Sequence, residues 1–430
     1  MSDTTIRSVT GRRVWDSRGR PTVEVEVALA GGARGRAIAP AGASRGSAEA
    51  IDLRDGGDAF GGRDVAAAVT NANGEIGAAL SGTDAIDQTE ADRILVDLDG
   101  TADKSRLGAN ALVATSMAVA HAAAAAMRVP LWHHLADTDG AALPLPEIQI
   151  FGGGAHAARR VDVQDFMVMA VGAVEFAEAL DWTAEVYRAA GELMAEAGLS
   201  RGTADEGGHW PEFESNEDAL GMLVQAIERA GLQPVEQVAI SLDVAASEFG
   251  ENGRYRLAHD GRELDSDGMS ELLGNWIGRF PIVSVEDPLG EDDIAGLARF
   301  TQAYGERVQI VGDDALVTSA ARVTDAAQAG ACNAILLKPN QAGTLSECRA
   351  AFDAARDVGY DSVASARSGE TEDTTIVHLA AGWGVPQLKV GSIAHGERTA
   401  KWNEGLRIAE ALPNGGRLPH RSSFPWGKCG

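Results

Sequence analysis

Ile282-Val-Ser-Val-Glu286, Val308-Gln-Ile-Val-Gly-Asp313 and Ala334-Ile-Leu-Leu-Lys338 repeat one pattern, a short apolar, β-branched-rich run that stops on or just before a charged residue. The same pattern stands upstream as Val238-Ala-Ile-Ser-Leu before Asp243 and downstream as Val385-Pro-Gln-Leu before Lys389. The five charged residues are separated by 43, 27, 25 and 51 positions. A strand, a helix and two loops use about 25 residues, so 27 and 25 read as single strand-helix units and 51 as two. The interval of 43 leaves room for a hairpin around Gly253-Arg-Tyr-Arg-Leu. Regular strand-helix units with chemistry at the C-terminal end of each strand are the requirement of a (β/α) barrel, whose active site is built there.

Outward from this core the texture changes. Thr22-Val-Glu-Val-Glu-Val27 alternates with period two, which predicts a strand with one wet face, and helical patterns cover 62–80, 86–97 and 108–127 before Pro130. The chain therefore divides into an α+β unit over 1–135 and an α/β barrel over 140–430. The most apolar run, Ala111 to Met127, is broken by Thr115, Ser116 and His121. It reads as a buried helix, too short and weakly apolar for a membrane span. No signal peptide is read at the N-terminus, and Cys332, Cys348 and Cys429 form no CxxC pair. A disulfide framework or zinc cluster is not encoded, and a reducing cytoplasm fits.

Charge narrows the partners. The 430 residues carry 37 Lys+Arg against 63 Asp+Glu, a net charge of −26, and such a field repels nucleic acid and anionic membranes. A small anionic substrate requires local cations. Asp243, Glu286 and Asp313 at one barrel mouth would repel one another without a positive partner, and an oxygen-only ligand set selects a hard divalent ion, with Mg²⁺ the best match. Lys338 and Lys389 complete the ring. A lysine beside Mg²⁺ and a second ammonium has its pKa pushed down and can act as a base. Taken singly, each of these acids also reads as a solvated loop charge and each lysine as half of a surface ion pair. Two further groups stand out: Gly202-Thr-Ala-Asp-Glu206-Gly-Gly, whose glycines let a carboxylate approach a ligand, and Gln164-Asp165 beside Gly152-Gly-Gly-Ala-His156. A loop histidine is more often an ordinary surface residue.

Longer stretches extend these motifs. Trp15-Asp-Ser-Arg-Gly-Arg-Pro-Thr-Val-Glu-Val-Glu-Val, Leu242-Asp-Val-Ala-Ala-Ser-Glu-Phe, Val285-Glu-Asp-Pro, Gly312-Asp-Asp, Leu337-Lys-Pro-Asn-Gln and Arg367-Ser-Gly-Glu-Thr-Glu-Asp-Thr resemble the enolase family over nearly the whole chain. That family interconverts 2-phosphoglycerate and phosphoenolpyruvate with Mg²⁺. The resemblance implies an N-terminal α+β cap, a (β/α)8 barrel whose second strand is antiparallel, and a homodimer. It implies that Asp243, Glu286 and Asp313 ligate Mg²⁺, that Lys338 removes the proton alpha to the carboxylate, and that Glu206 protonates the leaving hydroxyl. Gln164, Arg367, Ser368 and Lys389 would hold the substrate, with Asp165 and His156 beside the acid. A lysine base with Mg²⁺ on the developing ene-diolate is the established pattern for such sites.

The departures from the family are as informative. Where enolases carry Ser-Gly-Ala-Ser-Thr, this chain has Ala41-Gly-Ala-Ser-Arg45, and Asn-Gly-Gly-Ser-His becomes Gly152-Gly-Gly-Ala155-His156. A family glutamate is Asp165, and the histidine before the active-site arginine is Ala366. All five replacements are smaller, so the pocket reads as enlarged; Arg45 and His209-Trp210 run the opposite way and would refill part of it. These changes resemble the branch of the family in phosphonate and phosphinate antibiotic pathways that makes carboxyphosphonoenolpyruvate. Glycolytic enolase and a non-catalytic enolase-fold binding protein are the alternatives.

Overall fold

The computed structural model describes residues 3–136, 141–158, 161–413 and 415–428; Cys429 lies outside them. Strands β1 (Ile6–Trp15), β2 (Pro21–Leu29) and β3 (Arg34–Ile38) form an antiparallel sheet in that order. The predicted wet face of β2 is not wet. Glu24 is buried, paired with Arg12 of β1 and with Arg36 of β3 at 3.4 Å, and Glu26 meets Arg34 at 2.6 Å. β2 is the central strand, so arginines from both edges cover its glutamates, as opposite charges on neighbouring strands do.

The helix Ala109–Met127 lies across β2 and β3. It is 19 residues long and, contrary to the sequence reading, long and apolar enough by composition to cross a membrane; 78% of its apolar window is instead buried inside the protein. Alanines make this close packing with the sheet work, and so does Gly35, where a Cβ would stand 2.1 Å from the Ala122 backbone nitrogen. Other cap helices are Gln88–Asp99, the short Leu131–Leu135 and the run from Ala66 to Leu80, interrupted by a π-turn over Ala72–Ile76.

Eight strands close the barrel: β4 (Leu145–Gly152), β5 (Asp165–Met169), β6 (Ala239–Asp243), β7 (Ile282–Glu286), β8 (Gln309–Gly312), β9 (Ala334–Leu337), β10 (Asp361–Ser365) and β11 (Gln387–Ser392). β11 pairs back to β4. Only β5 runs antiparallel to its neighbours. That reversal places Asp165, the first residue of β5, opposite Asp243, the last residue of β6. The interval after β6 holds three short strands, Gly250–Glu251, Arg254–Leu257 and Arg262–Asp265, in place of a single hairpin. Phe424 and Trp426 stack at 4.5 Å and pack with Leu145, Met169, Val171, Ala239 and Val283. These residues come from the strand ends opposite the mouth, so the C-terminal segment closes the barrel floor.

The cap is fastened to the barrel by polar side chains. Asp92 accepts from the Ser346 amide (2.9 Å) and hydroxyl (2.7 Å), and Lys104 pairs with Glu347 at 2.8 Å. Gly35→Val should destabilise the protein by about 3 kcal/mol, the upper range for overpacking, since backbone on the helix side cannot yield. Urea unfolding checks this, and an unchanged midpoint would contradict the packing described.

Candidate functional site

Asp243 and Glu286 are the last residues of β6 and β7, and they are register partners; Asp313 and Lys338 follow β8 and β9 directly. Lys389 differs from the sequence reading, because β11 runs on to Ser392 and the lysine lies within the strand. Its ammonium sits between Asp243 Oδ2 at 2.7 Å and Glu286 Oε2 at 2.6 Å. Lys338 Nζ donates to Asp313 Oδ2, whose other oxygen accepts from Gln341 at 2.8 Å. All five side chains are buried.

Burial opposes the charge on Lys389, yet Asp243 and Glu286 outweigh it and hold its pKa well above the ordinary value. Lys338 is also raised, because Asp313 overcomes burial and the repulsion from Arg367 and Lys389. The lowering expected of Lys338 is that of a lysine beside Mg²⁺; within the protein itself the nearest charge is a carboxylate, which acts the other way. Burial, followed by repulsion from Asp243, pushes Glu286 well above the carboxylate range.

His156 is buried, not a surface loop residue. Its Nδ1 faces Asp165 Oδ1 at 2.9 Å, and its Nε2 faces Ser368 Oγ at 3.0 Å and Glu206 Oε1 at 3.8 Å. Burial disfavours the imidazolium, but Asp165 and Glu206 reverse that and push the ring up to about 9. Burial alone would raise Glu206; His156, Arg398, Lys389 and Lys338 together bring it below the usual range. At neutral pH the proton of this group therefore rests on His156. Gln164 donates to Asp243 Oδ2 at 3.0 Å.

Four residues not singled out from the sequence hold this arrangement. Gln149 donates to Asp165 and accepts from the Gly208 amide at 2.9 Å, tying the histidine pair to the loop of Glu206. Gln341 fixes Asp313. Arg398, fully buried, donates to the carbonyls of Arg367, Val390 and Ser368 at 2.7, 2.8 and 2.5 Å. Glu49, from the cap, meets the guanidinium of Arg367 at 3.0 Å. Polar residues inside an apolar strand, as in Pro146-Glu-Ile-Gln-Ile, were the available signal for Gln149; Arg398 and Glu49 looked like ordinary helix and loop charges.

One cleft is lined by His156, Gln164, Asp165, Glu206, Asp243, Lys338, Arg367, Ser368 and Lys389, together with Ser44 and Ala366. Enolase family models match both parts of the chain, the N-terminal domain over residues 6–135 and the C-terminal TIM barrel domain over residues 140–423. The chain belongs to the enolase family. Members of this family are lyase-type enzymes that act on small anionic substrates and typically use a divalent metal.

The residues fit such an ion. Asp243, Glu286 and Asp313 offer carboxylate oxygens only, on three consecutive strands, and Glu286 Oε1 is buried without a hydrogen-bond partner among the described residues. Among the described residues, the sets of three histidine or carboxylate ligand atoms within 4.8 Å of one another are His156, Asp165 and Glu206, and Asp287, Asp313 and Asp314. Asp313 alone is common to these and the expected triad, as Lys389 and Lys338 hold its carboxylates in two groups.

Of the departures, Asp165 and Ala366 line the cleft. Ala41 pairs by backbone with Gly369 at the cap boundary. His209 stacks on Tyr187 at 4.1 Å and hydrogen-bonds its carbonyl at 3.0 Å, and neither His209 nor Trp210 borders the cleft. The expected refilling by His209-Trp210 does not occur, because the short strand His209–Pro211 pairs on the rim beside β4.

His156 titrates at about 9 in the fold against an ordinary 6.5. Its charged form therefore contributes stability in full below the lower value and loses it as pH rises through the upper one. His156→Gln should be markedly less stable than the parent at pH 6, with the difference shrinking toward pH 9.5. Thermal unfolding of both proteins across that range checks it; a constant difference would mean the ring's pKa is not raised in the fold.

Proposed function

We propose that this chain is a divergent enolase-family lyase that removes the proton alpha to a carboxylate and eliminates water from a 2-phosphoglycerate-like substrate. We further propose that its own substrate is a phosphonate-pathway analogue bearing a bulkier phosphorus group, with carboxyphosphonoenolpyruvate as the product. A homodimer, as the family resemblance implies, and a reducing cytoplasm, as the cysteine usage fits, go with this reading. The observation that carries it is the placement of Lys338 and Glu206 on one cleft together with Arg367, Ser368 and Lys389.

Lys338 takes the proton and the C–H electron pair moves onto the carboxylate; it then forms the new double bond as the neighbouring C–O bond breaks. The departing hydroxide takes a proton from the Glu206–His156 pair and leaves as water. Asp165 and Ser368 hold the imidazole between them, so the proton is delivered in one direction. Among the charges around Lys338, Asp313 and Glu286 retain its proton while Arg367 and Lys389 expel it, and base action draws on the second pair. Asp243, Glu286 and Asp313 would hold the divalent cation, Mg²⁺ on this reading, which supplies neutralisation of the dianion that forms on a deprotonated carboxylate. Gln164, Arg367, Ser368 and Lys389 bind the substrate's oxygens.

Two experiments test the reading. Lys338→Ala should lose exchange of the alpha proton with solvent deuterium, while Glu206→Gln should keep exchange and lose elimination, because each acts on a different bond. Exchange persisting without Lys338 removes it as the base. For specificity, Ala366→His adds volume and a polar group in the cleft lining. It should shift the ratio of kcat/KM for 2-phosphoglycerate over a phosphorus-substituted analogue by about 10–200-fold, the range for small pocket changes. If the unmodified protein turns over 2-phosphoglycerate at about 10 s⁻¹ with no preference for any analogue, it is a glycolytic-type enolase.

A further inference from the structure

Arg367 lines the cleft, yet its two terminal nitrogens point to the cap and its neighbours. Nη1 donates to Glu49 Oε2 at 3.0 Å and Asn340 Oδ1 at 3.1 Å; Nη2 donates to Glu49 Oε1 at 3.2 Å and to the Ser44 carbonyl at 3.0 Å. The Nε–H makes no hydrogen bond to the described residues. Both partners are almost fully sealed, with side-chain exposures of 3% and 2%. The approach depends on Gly42, where a Cβ would lie 2.0 Å from Nη2.

Glu49 is in turn held by the Gly46 amide at 3.1 Å and by Gln341 at 3.3 Å, the same amide nitrogen that donates to Asp313. Arg45 Nε stands 3.7 Å from the same carboxylate on the solvent side. The cluster thus has two guanidiniums on one carboxylate and keeps an excess positive charge beside the cleft.

We propose that Glu49 is a positioning residue for Arg367. From the cap, its carboxylate clamps both terminal nitrogens and leaves the Nε–H edge for the substrate's phosphorus-bearing end. Through Gln341 it also couples the position of that cation to Asp313. A free arginine side chain has many rotamers, whereas a bidentate carboxylate fixes the plane of the guanidinium. Arg45 offsets the charge that Glu49 would otherwise cancel. The proposal rests on the cleft binding a phospho or phosphono carboxylate, as given above.

The test compares the full-length parent with Glu49→Gln and Glu49→Asp in the presence of Mg²⁺. Thermal unfolding reports folding, and titration calorimetry with inorganic phosphate and with 2-phosphoglycerate reports binding. An amide has one oxygen acceptor and so cannot clamp both nitrogens; the shorter aspartate keeps the charge without the reach. Both folded variants should bind both probes about tenfold to a hundredfold more weakly, with a raised KM for the elimination and little change in kcat, because Lys338 and Glu206 are untouched. Should Glu49→Gln fail to fold, Glu49→Asp carries the comparison. A folded variant that binds both probes as tightly as the parent overturns the proposal and leaves the reading of the cleft standing. A parent that binds neither probe overturns that reading, and this proposal with it.

Discussion

Four carboxylates, Asp165, Asp243, Glu286 and Asp313, stand at the mouth ends of four consecutive barrel strands, and their mutual repulsion is the constraint the site depends on. Two unit charges about 4 Å apart interact by about 4 kcal/mol even at an effective dielectric near 20. A buried ring of this kind is tolerable only with cations threaded through it. Lys389 enters from β11 across the barrel, Lys338 from β9, and His156 takes up a proton between Asp165 and Glu206. The same crowding that would unfold an uncompensated ring makes it a receptor for a divalent cation and an anionic substrate.

The barrel was legible because its rule is local. A β-branched run followed by a charge, recurring at strand-helix spacing, places Asp243, Glu286, Asp313 and Lys338 without any knowledge of what lies opposite them. Lys389 shows the limit of that rule. Val385-Pro reads as the start of a strand, but proline gives the ladder no N–H donor and pairing starts at Gln387; it also continues past the lysine to Ser392, which puts Lys389 inside the strand. Its contacts with Asp243 and Glu286 come from residues more than a hundred positions away in the chain, a separation no periodicity encodes.

Other features depended on what packs against what. The glutamates of β2 alternate with valines and look exposed, yet arginines on both neighbouring strands cover them. His209-Trp210 looked like material for the pocket because it follows Glu206 so closely, but Gly207 and Gly208 turn the chain away, and the ring of His209 finds Tyr187. The five smaller residues are equivalent as a list. In space they are not, since Ala366 faces the cleft whereas Ala41 is a backbone partner of Gly369. An argument about specificity that counts substitutions is therefore weaker than one that asks which of them the substrate can touch.

The position of the protons separates the two halves of the site. Asp313 keeps Lys338 charged, and the cations around Glu206 keep that carboxylate ionised. Each is in the protonation state opposite to the one its proposed role requires. For Glu206 the remedy is at hand, because His156 carries a proton 3.8 Å away and is oriented by Asp165. For Lys338 the remedy has to act on Asp313, whose second oxygen is tied through Gln341 to Glu49 and so to Arg367. In the proposed scheme the acid pair lies wholly within the barrel, whereas the carboxylate beside the base is also in contact with the cap through Gln341 and Glu49. The cap is therefore more than a cover, since its Glu49 reaches both the guanidinium of Arg367 and, through Gln341, the carboxylate of Asp313.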